Sequence, residues 1–126
     1  MKHFKVFLLI VCTLALVCGA CGKIKTIPTP EAPQNLFLEE TTETSLTFQW
    51  DAVKNASSYE WALSYLDPYS GLAGYKRGSV MTKSVTINDL YPGTTYTLQV
   101  RTVAFGLLSD WSEAIYGITQ GEAPSI

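Results

Sequence analysis

The sequence has little histidine and little cysteine, and both shortages exclude familiar chemistry. Among 126 residues there is one histidine, His3, and there are three cysteines, Cys12, Cys18 and Cys21. Everything after Cys21 therefore lacks imidazole and thiol groups, which are the usual ligands of transition metals and the usual bases and nucleophiles of hydrolases. We expect no metal site, no cofactor and no enzymatic activity.

Positive charge is also scarce beyond the first twenty residues. Residues 21–126 contain seven Lys or Arg against eleven Asp or Glu. Proteins that bind nucleic acids usually present a basic face, so the sequence predicts no nucleic-acid partner. The length of this part fits one domain of roughly 100 residues.

The first twenty residues form an apolar leader. Lys2 and Lys5 precede the uncharged stretch 7–17, and the small residues Gly19 and Ala20 end it. This arrangement is typical of a secretory signal peptide. A membrane-spanning helix is the competing interpretation, but it needs about 20 apolar residues and the stretch here is shorter.

The end of the leader, Val17-Cys18-Gly19-Ala20-Cys21, resembles the lipobox of bacterial lipoproteins. The resemblance implies that the signal peptide is cut before Cys21 and that the Cys21 thiol receives a diacylglycerol. Cleavage at Cys18 is less favoured, because Val17 is bulkier than the residue that such a peptidase prefers. The implied location is a bacterial cell envelope. Outer-membrane sorting is favoured, and either the periplasmic or the surface face remains open.

A proline-rich segment follows the predicted lipidation site. Pro28, Pro30 and Pro33 fix φ and remove backbone donors, which disfavours a helix and favours an extended tether. The sequence therefore divides into a signal peptide (1–20), a lipidated cysteine with its tether (21–33), a domain (34–120) and a short tail (121–126).

From residue 34 onward, short runs of alternating apolar and polar residues are separated by turn residues, a pattern typical of an all-β sandwich or barrel. No stretch has sustained helical spacing. The seven candidate strands lie around residues 36–38, 46–50, 59–65, 75–80, 85–87, 96–102 and 115–119.

Several segments resemble a fibronectin type III domain. Residues 32–36, 45–50 and 59–61 are similar to its first three strands, residues 90–101 to the turn into its long sixth strand, and residues 111–114 to the start of its final strand. The resemblance implies a seven-stranded antiparallel Greek-key sandwich of the immunoglobulin-like class. Thr102 departs from the family, which commonly has Ala there.

Three aromatic residues are expected to support this sandwich. Trp50 and Trp61 fall on the inward phase of neighbouring strands and predict a large part of the core. Tyr96 is expected to bury its ring and to bond through its hydroxyl to backbone near Leu90, as in the tyrosine corner of such folds.

The predicted loop 104–111 carries more large apolar residues than a loop needs. Phe105, Leu107, Leu108 and Trp111 lie there, and surplus apolar side chains mark a partner surface. The alternative interpretation is that Trp111 lies flat over the sheet and stacks on Arg101, while Leu107 or Leu108 caps the core.

A second candidate surface lies in the connection 66–75. Tyr69, Leu72 and Tyr75 could form an aromatic platform for a sugar or a peptide, or an ordinary tyrosine-rich turn.

Together these observations predict a lipid-anchored binding or adhesion module of the bacterial envelope, with no catalytic activity. Phe105, Leu107 and Leu108, together with Trp111 and Tyr69, are the residues predicted to contact a protein or glycan. The alternative is a spacer or structural subunit of an outer-membrane or surface assembly.

Overall fold

The computed structural model describes residues 28–125. The leader, the predicted cleavage site and Cys21 lie outside the described residues. Within them, no helix has the length and apolarity that crossing a membrane requires.

The described residues form eight strands in two antiparallel sheets. One sheet has the order β1-β2-β5. In the other, β4 pairs with β3, β3 with β6, and β6 with both β7 and β8. The strands are β1 (Phe37–Thr41), β2 (Leu46–Gln49), β3 (Ser58–Leu66), β4 (Ala73–Val80), β5 (Ser84–Ile87), β6 (Thr95–Ala104), β7 (Leu107–Leu108) and β8 (Ile115–Ile118). The prediction of an all-β antiparallel sandwich is confirmed, and each of the seven predicted strands is present.

The core follows the period-two alternation of the strands, because successive strand side chains point to opposite faces. In β6, every second residue is buried. Between the sheets, the Trp50 indole is 2% exposed and meets the Tyr59 ring edge-on at a centroid distance of 5.3 Å. The buried apolar residues are Leu46, Phe48, Trp50, Tyr59, Leu63, Val85, Ile87, Leu90, Tyr96, Leu98 and Val100.

Trp61 is also directed inward, but it remains partly buried because it covers the edge strand β4. Gly78 lies directly opposite Trp61, and Gly74 lies opposite Tyr65. A Cβ atom at Gly78 would stand 2.5 Å from the Trp61 ring, so only glycine leaves room for the indole. Lys76 lies between these two glycines on the same face of β4.

The predicted tyrosine corner is present. The Tyr96 hydroxyl accepts a hydrogen bond of 2.7 Å from the backbone N–H of Tyr91, next to Leu90. Burial raises the pKa of Tyr96 above its ordinary value. In the same turn, Gly93 has φ +55° and donates its N–H to the carbonyl of Gln120, which fixes the turn against the tail of the domain.

Candidate functional site

The segment predicted as the loop 104–111 begins with a tight hairpin. After the hairpin, the chain continues along the edge of β6 without forming a regular strand. β7 pairs back onto Val103 and Ala104. Phe105 and Gly106 form the two-residue turn, and their φ values of +53° and +72° are those of a type I′ hairpin. The sequence prediction was wrong here because the strand is only two residues long and Phe replaces the usual Asn or Asp.

The three apolar residues of this hairpin are exposed. Phe105 is 60%, Leu108 45% and Leu107 39% exposed. The interpretation that Leu107 or Leu108 caps the core is therefore wrong, since β7 lies at the sheet edge and pairs only with the last two residues of β6. We call Phe105, Leu107 and Leu108 the apolar hairpin.

Trp111 does not belong to the apolar hairpin. Its ring lies over Arg101, with the guanidinium carbon 4.4 Å from the ring centroid. Arg101 also forms an ion pair of 2.7 Å with Glu60 on β3. The interpretation that Trp111 stacks on Arg101 is confirmed.

Two serines beside Trp111 were missed from the sequence. The Ser109 N–H donates to the Thr102 carbonyl while its hydroxyl accepts from the Thr102 N–H, at 2.9 and 2.8 Å. Ser112 holds Val100 in the same way, at 2.8 and 3.0 Å. Val100 and Thr102 lie in the part of β6 between the residues that pair with β7 and those that pair with β8. The two serines therefore supply the hydrogen bonds that a neighbouring strand would otherwise make there. In the sequence, the feature that could have revealed them is the presence of two serines within two positions of Trp111.

Tyr69 lies at the opposite end of the sandwich from the apolar hairpin. The register pairs Tyr65, near the end of β3, with Tyr96, near the start of β6, whereas Phe105 follows the end of β6. The ten residues of β6 separate the two ends, and at about 3.3 Å per residue they span about 33 Å. The structure therefore does not bring Tyr69 and Phe105 into one site.

The turn that carries Tyr69 is organised by Asp67. The Asp67 carboxylate accepts hydrogen bonds from the backbone N–H groups of Tyr69 and Ser70, and these bonds lower the pKa of the carboxyl group. The Tyr69 ring meets Tyr91 edge-on at 5.6 Å. Tyr75, expected beside Tyr69 in the connection, instead lies within β4.

Tyr75 belongs to a surface that the sequence did not reveal. On the outer face of the larger sheet, the register places Tyr75, Ser64, Thr97 and Tyr116 in one row across four strands. Tyr75 is 69% and Tyr116 67% exposed. Shallow grooves run on both sides of this row, and each is lined by Ser64, Tyr75 and Thr97. We call these four residues the tyrosine row.

No group of three or more metal-ligating side chains occurs in residues 28–125. Candidate binding surfaces in this part of the chain are the apolar hairpin, the turn around Tyr69 and the tyrosine row.

Comparison with known proteins settles the family. Residues 31–118 match the model of the fibronectin type III domain. The chain belongs to the fibronectin type III family. The match contains all eight strands and leaves the predicted leader outside it.

A curated relative and solved structures accompany this match. The chain is 37% identical over 90 residues to a tail tube protein of Bacillus phage SPP1, a match that covers 71% of this chain and 31% of the relative. The chain thus spans about a third of that relative's length.

Among solved structures, the fibronectin type III domain of human collagen alpha-1(XX) chain has a TM-score of 0.64 at 22% identity, over 83% of this chain and 99% of that one. The FN5 domain of Drosophila Lar has a TM-score of 0.61 at 24% identity, over 74% and 99%. These two likenesses show the fold.

Thr102 has a specific use in this fibronectin type III domain. Its side chain is fully buried, and its hydroxyl donates a hydrogen bond of 2.7 Å to the backbone carbonyl of Glu31. Alanine, which the family commonly has there, cannot donate this bond. Thr102 therefore attaches the tether to the end of β6, beside the apolar hairpin.

Proposed function

We propose that this chain is a lipid-anchored module that holds one fibronectin type III domain at a bacterial envelope and binds a glycan or protein there without catalysis. The anchor rests on the lipobox resemblance that ends at Cys21. Binding rests on the tyrosine row, which exposes two large aromatic rings on a sheet face.

If a lipid on Cys21 anchors the chain, removal of Cys21 should move the chain out of the membrane fraction. In cells, we expect the native chain to float with membranes and to carry a diacylglycerol on Cys21, because each buried methylene adds about 0.8 kcal/mol of membrane affinity. A chain that begins at residue 22, without the leader and Cys21, should leave the membrane fraction. Intact mass and membrane flotation measure both effects, and a native chain that keeps residues 1–20 would contradict the anchor.

The tyrosine row has the geometry of a surface for sugar rings. Tyr75 and Tyr116 stand three strand spacings apart, and neighbouring strands lie about 4.8 Å apart, so the two rings are about 14 Å from each other at their backbones. The hydroxyls of Ser64 and Thr97 lie between them. Aromatic faces pack against apolar surfaces while hydroxyl groups provide hydrogen bonds, so an extended glycan fits this row better than a small compact ligand.

Removal of either ring should weaken binding. We expect Tyr75→Ala and Tyr116→Ala each to reduce affinity for a glycan found by array screening by about tenfold, the effect of losing one aromatic contact. Phe37→Ala is the matched control, since Phe37 is 49% exposed but lies in the other sheet. Isothermal titration would measure the change, and equal affinity of all three variants would contradict the assignment of this row.

A structural role is the second candidate, and the similarity to a phage tail tube protein favours it. A structural subunit should associate with other subunits in the absence of any glycan. Light scattering of the chain that begins at residue 22 distinguishes the two, because a monomer at all concentrations that binds glycan supports the binding module.

A further inference from the structure

The described chain begins beside the apolar hairpin. Residues 28–31 line one side of a narrow groove, and Val53, Lys54, Asn55, Ala104 and Phe105 line the other. The bond from Thr102 to Glu31 fixes this position. The tether therefore leaves the domain at the end that carries Phe105, which we call the tether end.

The tether is short compared with the domain. Pro28 is seven positions after Cys21, and even fully extended this segment spans at most about 25 Å. The long axis of the sandwich, taken along β6, is about 33 Å. A lipid on Cys21 therefore holds the tether end closer to the bilayer than the opposite end, unless the domain lies on its side.

The two ends differ in the side chains that they expose. At the tether end, Met81 follows β4 and is 84% exposed, in addition to the apolar hairpin. Lys54 and Lys83 lie in turns at this same end, where they balance the exposed carboxylates of Glu31 and Asp51. An apolar tip at an end without net charge suits the boundary between acyl chains and headgroups.

The opposite end is acidic. Its turns and tail, residues 42–45, 67–72, 88–94 and 119–125, contain Glu43, Asp67, Asp89 and Glu122, and no Lys or Arg occurs in these ranges. An anionic membrane surface repels such an end. Leu72 is exposed there too, in the turn that Asp67 organises.

We propose that the tether end docks on the lipid bilayer, with Phe105, Leu107 and Leu108 inserted at the membrane interface. This inference rests on the lipid anchor of the proposed function. The type I′ turn projects Phe105 at the tip of the hairpin, and both leucines follow directly.

Anchoring makes this weak insertion effective. Three apolar side chains would bind a membrane poorly by themselves, but a short tether converts their insertion into an intramolecular step with a high effective concentration. Docking at this end leaves the tyrosine row on the side of the domain, where a ligand can reach it.

The test uses the full acylated chain in vesicles of phosphatidylethanolamine and phosphatidylglycerol. Leu107→Cys and its matched control Leu72→Cys each place a single labelling site on an exposed leucine, at opposite ends of the domain. With an environment-sensitive fluorophore attached, position 107 should show blue-shifted emission and a several-fold loss of quenching by an aqueous quencher. Position 72 should show neither change.

The outcomes separate the inference from the anchor. If the chain does not float with the vesicles, the proposed lipid anchor is wrong, and the proposed docking is wrong with it. A chain that floats while positions 107 and 72 are quenched equally overturns docking alone, and leaves the apolar hairpin to the protein or glycan partner predicted from the sequence.

A second variant checks that the hairpin causes the protection. Phe105→Ser with Leu108→Ser, in the chain labelled at position 107, should restore quenching without a change in flotation or melting temperature. Both side chains are exposed, so the fold does not depend on them. Unchanged protection in this variant would overturn the role of the hairpin.

Discussion

Trp50→Ala should lower the free energy of unfolding by about 3 to 5 kcal/mol, the usual cost of emptying a site that a large aromatic side chain fills. Trp50 is fully enclosed between the sheets and contacts the Tyr59 ring. The loss is severe against the total of about 5 to 15 kcal/mol that stabilises most domains. Urea unfolding of the unacylated chain measures it.

Trp50→Phe is the matched variant. Among the described residues, the indole nitrogen of Trp50 is the buried side-chain polar atom that has no hydrogen-bond partner. Phenylalanine removes this donor and keeps most of the apolar contact, so it should cost much less than alanine. Equal losses for the two variants would mean that the indole is not packed as described.

Gly93→Ala should lower the free energy of unfolding by about 2 to 5 kcal/mol, through two additive effects. The first is the left-handed backbone, since φ is +55°. The second is steric, because a Cβ atom at Gly93 would overlap the backbone of Glu122 and Ala123. Rigid backbone cannot move aside as a flexible side chain can, so the tail must separate from the turn.

Gly71→Ala isolates the backbone effect, so its difference from Gly93→Ala gives the steric effect. Gly71 has φ +72°, yet nothing lies within 4 Å of the position that its Cβ would occupy. It should therefore show the backbone cost alone, about 1 to 2 kcal/mol. Parallel urea unfolding of both variants measures the difference, and similar losses would contradict the close packing of the tail against Gly93.

The fold could be predicted because its signals are local. The alternation in β6 shows which side chains are buried, and the turn at Pro92 and Gly93 shows where the chain reverses before Tyr96. β7 could not be predicted, because two residues carry no detectable alternation. Its pairing depends on a turn in which Phe105 adopts a left-handed backbone that sequence patterns assign to Asn, Asp or Gly.

The candidate site was harder to predict because exposure and register are not local. Of the five candidate residues, Leu107 and Leu108 lie in β7 and not in a loop, Trp111 is held by Arg101, and Tyr69 lies at the end opposite Phe105. The tyrosine row was missed for the same reason. Tyr75 and Tyr116 are 41 positions apart in the sequence, and only the pairing of four strands places them in one row.

The position of Lys76 has a consequence under the proposed lipid anchor. Anchored copies would be confined to two dimensions, where they would collide far more often than in free solution. Among residues 28–125, one edge of β4 has no partner strand and would otherwise offer each neighbour a template for strand addition. Lys76 occupies an inner-face position of the edge strand β4, and a second strand laid along β4 would cover part of its side chain, at a desolvation cost for the ammonium group. A dense layer of these domains can therefore remain a population of separate molecules.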